Sequence, residues 1–501
     1  MTRLLALLAL GLWAAATGAA PPEDMQREAV APGVVEVELQ ADLSGISLRQ
    51  ARIIRLLVRA ADLVGEVHRA QLAPGGLYPE DMTRAEFEAW DDPAAADPLT
   101  VIRRDAAGAL VAVPYHQAWP TELGQVARLL ARAAEITQDE DLRHYLTQRA
   151  RALIVGDHPR AERAWLALAH SDIDALIGPL GTDEDARFGL KSTFGAYLLL
   201  RDWAWGARLA RFKVFLPELQ RALPVSAAFK AEVPEVDMKL AVYDLVYHAG
   251  YGAARAGVIA PDAADDRRVR LERGPRQLQL RNVMRARFEA LVAPVAARML
   301  VPEQRGQVRF EAFFLDAMLR EMAHALGPRR TVSSGIEVAA ALGAQAGLVE
   351  AAKAAVLSLW MAAELHARGE LPETRLAEHY ASFLAGAFRA IQLDPGSDAG
   401  RAQLLLFNHF RDWGAFRRDP DSGLYRVQAE DMTRAVEAMA AQLLTLQGSG
   451  DRAGAAALAQ AMAVTRSDFR IDLQRLAAAG VPDAIVFRQG LEQLGLDQPG
   501  L

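Results

Sequence analysis

The chain has no cysteine among its 501 residues. That excludes disulfides, thiolate catalysis, thiolate zinc ligands, iron–sulfur clusters and lipid attachment through cysteine. Lysine is nearly absent. Lys191, Lys213, Lys230, Lys239 and Lys353 are five of the 56 basic residues, which leaves 51 arginines. With abundant alanine, this reads as a GC-rich coding bias. A net charge of −7 excludes a general nucleic-acid binder. Beyond the N-terminus no charge-free apolar run is long enough to span a bilayer. The nearest, Ala354 to Ala363, is bounded by Lys353 and Glu364 and reads as a buried helix. There is no Gly-rich phosphate loop and no solenoid-length repeat, and Ser333-Ser334-Gly335 lacks a nucleophile-elbow pattern.

What is present is an ordinary globular balance, 51% hydrophobic and 24% charged. A chain of this length is expected to form one very large domain or two to three lobes. Residues 1–20 read as a signal peptide. Arg3 supplies positive charge, Leu4 to Ala16 the apolar core, and Gly18, Ala19 and Ala20 small residues for cleavage. A periplasmic or secreted product without a membrane anchor is expected. Losing Arg3 leaves 55 basic against 63 acidic residues, a charge of −8.

The periodicity is mostly helical. Ile53, Ile54, Leu57, Ala60 and Val64 fall at helical spacing, as do Leu129, Leu130, Ala133 and Ile136. Thr83-Arg84-Ala85-Glu86 predicts a capped helix start. Val101-Ile102 and Leu110 to Val113 flank the turn Asp105-Ala106-Ala107-Gly108 and predict a hairpin. Ile173 to Leu180 predicts a short strand, Val269 to Leu280 an edge segment, and Leu424 to Val427 an extended piece after a turn. From Phe310 to Leu326 one apolar stripe predicts a helix that Gly327-Pro328 stops. A second helix is predicted from about Gly335 to Ala367. Trp90, Trp203 and Trp205 are read as core more than cleft. His158, His170, His248, His366, His379 and His409 are scattered without metal-ligand spacing, and Arg329-Arg330 reads as a solvated loop.

The first of these helices carries Arg320-Glu321-Met322-Ala323-His324. A zinc hydrolase of the H-E-x-x-H type needs histidines at both ends, one turn apart on one face, with the glutamate activating the bound water. Arginine at the first position has five donors and no acceptor, so it cannot ligate zinc.

Further stretches give this fragment a context. They are Gly76-Leu77-Tyr78-Pro79-Glu80-Asp81-Met82-Thr83, Val101 to Asp105 with Val113-Pro114-Tyr115-His116, and Ile177-Gly178-Pro179. Leu278-Gln279-Leu280-Arg281-Asn282, Gly414-Ala415-Phe416 with Arg418-Asp419, and Leu446-Gln447-Gly448 follow. In order and spacing the chain resembles, from about residue 34 to residue 490, the bacterial zinc hydrolases related to dipeptidyl-peptidase III. The resemblance implies a predominantly α fold with a small β component (α+β), in two lobes around a cleft, with a zincin-like helix pair in the helical lobe. Residues 21–200, rejoined by about 240–290, would form the mixed lobe. Residues 201–239 and 291–490 would form the helical lobe, with 491–501 a tail.

The resemblance also implies one zinc, and places its ligands on Arg320, His324 and Ala351. Glu321 falls on the general base, Glu350 precedes the lost ligand, and Ala355 replaces a trailing acid. Gly181 and Asp183 stand where the family has a glutamate and a tyrosine, and Ala399 where it has a histidine. Only Glu321, a vestigial base, and His324 survive. The expectation is a non-catalytic relative without a cofactor that keeps a cleft for a peptide or small ligand. Alternatives are an active hydrolase with altered metal ligands, and a helical interaction scaffold. Arg320 is expected either to pair with Glu350 across the two helices, where the ion is missing, or to be exposed in a wet cleft. The sequence leaves ligand, partner proteins and oligomeric state open.

Overall fold

The computed structural model describes residues 33–168, 170–234, 240–252 and 277–497. The expected signal peptide, most of the Val269–Leu280 segment and Lys239 lie outside the described residues. Among the described residues, ten strands and a larger number of helices are organised by two hydrophobic clusters.

The first cluster runs from Leu39 to Leu200, continues through Ala241 to Val283 and ends at Leu496. At its centre are helix α1 (Leu48–Leu72) and a four-stranded sheet of β4 (Ile173–Gly181), β5 (Thr193–Arg201), β6 (Leu240–Gly250) and β7 (Gln277–Leu280). Ser47 caps α1 by accepting from Gln50 N, and the Gln50 side chain accepts from Ser47 N in return. The apolar stripe of α1 then packs against β5 and β6. Strands β4, β5 and β6 are antiparallel neighbours, whereas β7 adds in parallel, Leu240 facing Gln277 and Tyr243 facing Leu280. Helix α2 (Pro120–Ile136) stacks on α1, and α3 (Glu140–Val155) stacks on α2. The predicted hairpin is present as β2 (Thr100–Arg104) and β3 (Leu110–Pro114), turned at Gly108 with φ of 84°. Thr83 caps its short helix as expected, but the Glu86 carboxylate is drawn to Arg104, at 2.8 and 2.9 Å.

The second cluster runs from Trp205 to Val481 and is helical. Its elements include α4 (Arg281–Arg287), α5 (Phe310–Ala323), α6 (Ala346–Ala367), α7 (Leu376–Leu393), α8 (Asp398–Asp412) and α9 (Ala429–Ser449). Helix α6 is the hub, packed against α5, α8 and α9. It is apolar on nearly every face, and Leu348, Val356, Leu359 and Leu365 are fully enclosed. Each such leucine contributes about 1.5–3 kcal/mol. The second predicted helix is broken. A short helix Val338–Leu342 ends at Gly343, whose φ of 57° cannot continue it, and α6 restarts at Ala346. The first predicted helix ends at Ala323, and Gly327 with φ of 90° completes the stop. Trp205 is core, packed edge-on against Phe314. Trp203 is exposed and donates to Asp172.

The first and last of the described strands meet. Strand β1 (Val34–Glu38) pairs in parallel with β10 (Ala484–Arg488), and Phe487, Leu491, Leu494 and Leu496 return to the first cluster. The expected 491–501 tail therefore packs into that cluster up to Leu496, because three apolar side chains there find a surface to cover. A further hairpin, β8 (Phe416–Arg418) with β9 (Tyr425–Val427), accounts for the predicted extended piece.

Candidate functional site

The helix pair α5 and α6 holds the residues that the resemblance selects. Helix α5 ends at Ala323, so its last carbonyls need partners. Lys353 of α6 supplies them. Its ammonium, 3% exposed, donates to Ala323 O at 3.2 Å and Leu326 O at 3.0 Å. It also lies 2.9 Å from the Glu350 carboxylate one turn earlier on α6. His324 Nδ1 meets Glu350 Oε1 at 2.7 Å, and Gln447 of α9 donates to Glu350 Oε2 at 2.8 Å. Partial burial raises the Glu350 pKa, but the His324 hydrogen bond and the Lys353 ammonium outweigh it and hold it at about 2.

Arg320 does not join this group. Glu350 and His324 line one cavity, together with Glu232, Arg329 and Lys353, while Arg320 and Glu321 line another. The expected Arg320–Glu350 pair is thus replaced by His324, Lys353 and Gln447 around Glu350. The physical reason is saturation: Glu350 already has three donors, and the long arginine stem reaches a separate cavity. The other expectation, Arg320 exposed in a wet cleft, fails too, because the guanidinium is partly enclosed and its Nε is buried without a partner. Burial lowers its pKa, while the Asp316 and Glu321 carboxylates oppose that.

The remaining family positions are dispersed. Ala351 is half-buried against the helical core and Ala355 is enclosed in it. Ala399 is exposed in the first turn of α8. Gly181 pairs with Thr193 at the end of the sheet away from β7. Along β6, Tyr243 and Gly250 are seven residues apart, about 23 Å at strand rise. Exposed Asp183 lies beyond Gly181, so the structure does not bring it to Arg320. A side chain at Gly181 would start 2.6 Å from Tyr251 Oη, which fills the space a glutamate would need. Near that end, Glu184 receives Gly252 N at 3.0 Å and Thr193 Oγ1 at 2.8 Å, and sits 2.7 Å from His68.

The resident metal that the resemblance implies does not fit this donor set. Of the three ligand positions only His324 can coordinate, and its Nδ1 is already in contact with Glu350. A dication there would share its surroundings with the Lys353 ammonium. Among the described residues no group of three or more histidines, aspartates or glutamates is placed to hold a metal. Three of the other histidines are bound elsewhere. His379 pairs with Asp316 at 2.6 Å, His366 with Thr374 O at 2.6 Å and His409 with Ala435 O at 2.9 Å. The Arg329-Arg330 loop is closed internally, since both backbone N–H groups donate to Glu232 Oε1 at 3.0 Å.

Solved structures place this architecture. The structure of DPP III from Caldithrix abyssi is similar with a TM-score of 0.82 and 29% identity, over 92% of this chain and 98% of that one. The chain has a dipeptidyl-peptidase III-like fold. Dipeptidyl-peptidase III from Corallococcus sp. strain EGB is similar at 0.67 and 29% identity, over 93% of this chain and 96% of that one. Nudix hydrolase 3 of Arabidopsis thaliana is 29% identical over 441 residues, 82% of this chain, and the chain spans 56% of that protein's length. No family model matches. Within the dipeptidyl-peptidase III-like fold, the metal site of this chain is degenerate among the described residues.

What sequence reasoning missed is the cavity that receives Arg320. It lies between β7, α4, α5 and α7, has a volume of about 430 Å³, and is lined by Arg287, Arg320 and Arg389 among mostly apolar side chains. Scattered arginines in a chain with 51 of them give no spacing signal.

Proposed function

We propose that the protein is an exported, non-catalytic relative of the dipeptidyl-peptidase III-type zinc peptidases, and that it retains a ligand-binding cleft. The observation that carries this reading is the content of the three ligand positions. They hold a guanidinium directed elsewhere, an alanine, and one histidine engaged by Glu350 next to a buried lysine. Zinc sites use three or four protein ligands, and Glu321 without a metal-bound water has nothing to activate. Export rests on the residue pattern of Met1 to Ala20. Retained binding is supported by a cavity of about 430 Å³ next to the former metal helix, within the usual range for ligand pockets.

Metal analysis of the purified protein, with a dipeptidyl-naphthylamide assay, tests the central point. Sub-stoichiometric zinc and no turnover are expected; stoichiometric zinc with turnover would overturn the reading. Fractionation of expressing cells tests export, with processed protein expected outside the cytoplasm.

A further inference from the structure

The cavity holding Arg320 has an unusual lining. Its walls are apolar: Leu280, Leu291, Phe313, Phe383 and Ala387 among others. Three arginines, Arg287, Arg320 and Arg389, line it as well. Arg389 is 4% exposed and spends its NH groups on Gln392 and the backbone carbonyls of Pro482 and Asp483, leaving Nε buried without a partner. Arg287 and Arg320 make no hydrogen bond or ion pair with any described residue. Two carboxylates share the lining, Asp316 and Glu321. Asp316 is already held by His379, leaving its other oxygen buried and without a hydrogen bond. Arg287 lies close enough to Arg389 to lower its pKa, as one cation does to another, and no carboxylate offsets the burial of Arg287.

Such an arrangement is costly in the free protein: Asp316 and Glu321 offset part of the Arg320 charge, but nothing offsets that of the partly buried Arg287, and a buried cation without counter-charge is destabilising. It becomes favourable when an anion enters, since guanidinium groups bind carboxylates through paired, charge-assisted hydrogen bonds. The size is suitable as well. An apolar cavity of roughly 150 Å³ admits one benzene ring, and this one is nearly three times that. A dication would be repelled by the same groups, and a small inorganic anion would leave the apolar wall unfilled.

We propose that this cavity binds an aliphatic carboxylate of medium chain length, its head on Arg287 and Arg320 and its tail against Leu280, Leu291, Phe313 and Phe383. This deepens the ligand-binding reading of the cleft and rests on it. Glu321 faces the same space and opposes the anion, so it tunes affinity downward.

Calorimetric titration of the intact protein with decanoate, decanol and decylammonium is the test. Decanoate is expected to bind at one site, decanol at least tenfold more weakly, and decylammonium not at all. Arg287→Gln and Arg320→Gln should each weaken decanoate at least tenfold, and Glu321→Gln should tighten it. Arg287→Met should raise the ligand-free Tm, which a purely structural arginine would not do. Gly386→Leu keeps both arginines and fills the cavity, since a side chain there starts at an ordinary 3.7 Å from Phe313. It should abolish binding even if an arginine variant fails to fold. Absence of decanoate binding, equal binding of decanol, or binding untouched by Gly386→Leu would overturn the inference. None of those results bears on the absence of hydrolysis, which the zinc and turnover measurements decide separately.

Discussion

Lys353 Nζ lies 2.9 Å from Glu350 Oε1, one turn along the same helix, and its remaining hydrogen bonds cross to the carbonyls at the end of α5. The two helices on which the resemblance places a metal site are here fastened by a buried ammonium. Lys353→Met is therefore expected to destabilise by about 2–4 kcal/mol, since it strands two carbonyls and a carboxylate. Chemical denaturation would measure it; a loss under 0.5 kcal/mol would mean that the fastening is dispensable.

The metal site can be rebuilt if the positions are correctly matched. Arg320→His with Ala351→Glu should restore three ligands around His324 and raise zinc affinity at least a hundredfold, whereas either change alone leaves two. Titration of the double variant against a competing chelator gives the answer, and an unchanged affinity would refute the placement of the ligands.

Gly181 is a different case, because its neighbourhood has been refilled. Gly181→Glu is expected to destabilise by roughly 1–3 kcal/mol through overpacking against Tyr251. Adding Tyr251→Ala should recover part of that loss. Thermal unfolding of the single and double variants checks both; a harmless single variant would show that Tyr251 is free to move aside.

Glu184 gives a pH dependence. Burial raises its pKa, but hydrogen bonds from His68, Gly252 and Thr193 overcome that and hold it at about 2, against an ordinary 4.5. The folded state thus binds its proton less readily than the unfolded chain. Its contribution is complete above about pH 5 and is lost as pH falls toward 2, amounting to roughly 2–3 kcal/mol. Denaturant midpoints from pH 6 to pH 2 should fall more steeply for the native chain than for Glu184→Gln. Parallel curves would exclude the assignment.

The legible parts of the sequence were those with local signals. The β2–β3 hairpin, the Phe310 helix and its Gly327 stop follow from turn residues and helical spacing. Strands β5 and β6 did not stand out, because both faces are largely covered and their residues do not alternate. The β1–β10 pair has no local signature, since its partners lie at opposite ends of the chain. At the site, arginine chemistry alone removed zinc coordination from position 320. Where its guanidinium goes depends on a wall built by β7, α4 and α7, which no spacing within α5 encodes.

The meeting of β1 with β10 bears on how the molecule is made. Val34 to Glu38 is synthesised long before its pairing partner, Ala484 to Arg488. The first strand must wait with an open edge while both clusters collapse, and closure of this long loop is a late, entropically costly event. Emergence of Ala484 to Arg488, more than formation of either core, then sets the moment at which the fold is sealed.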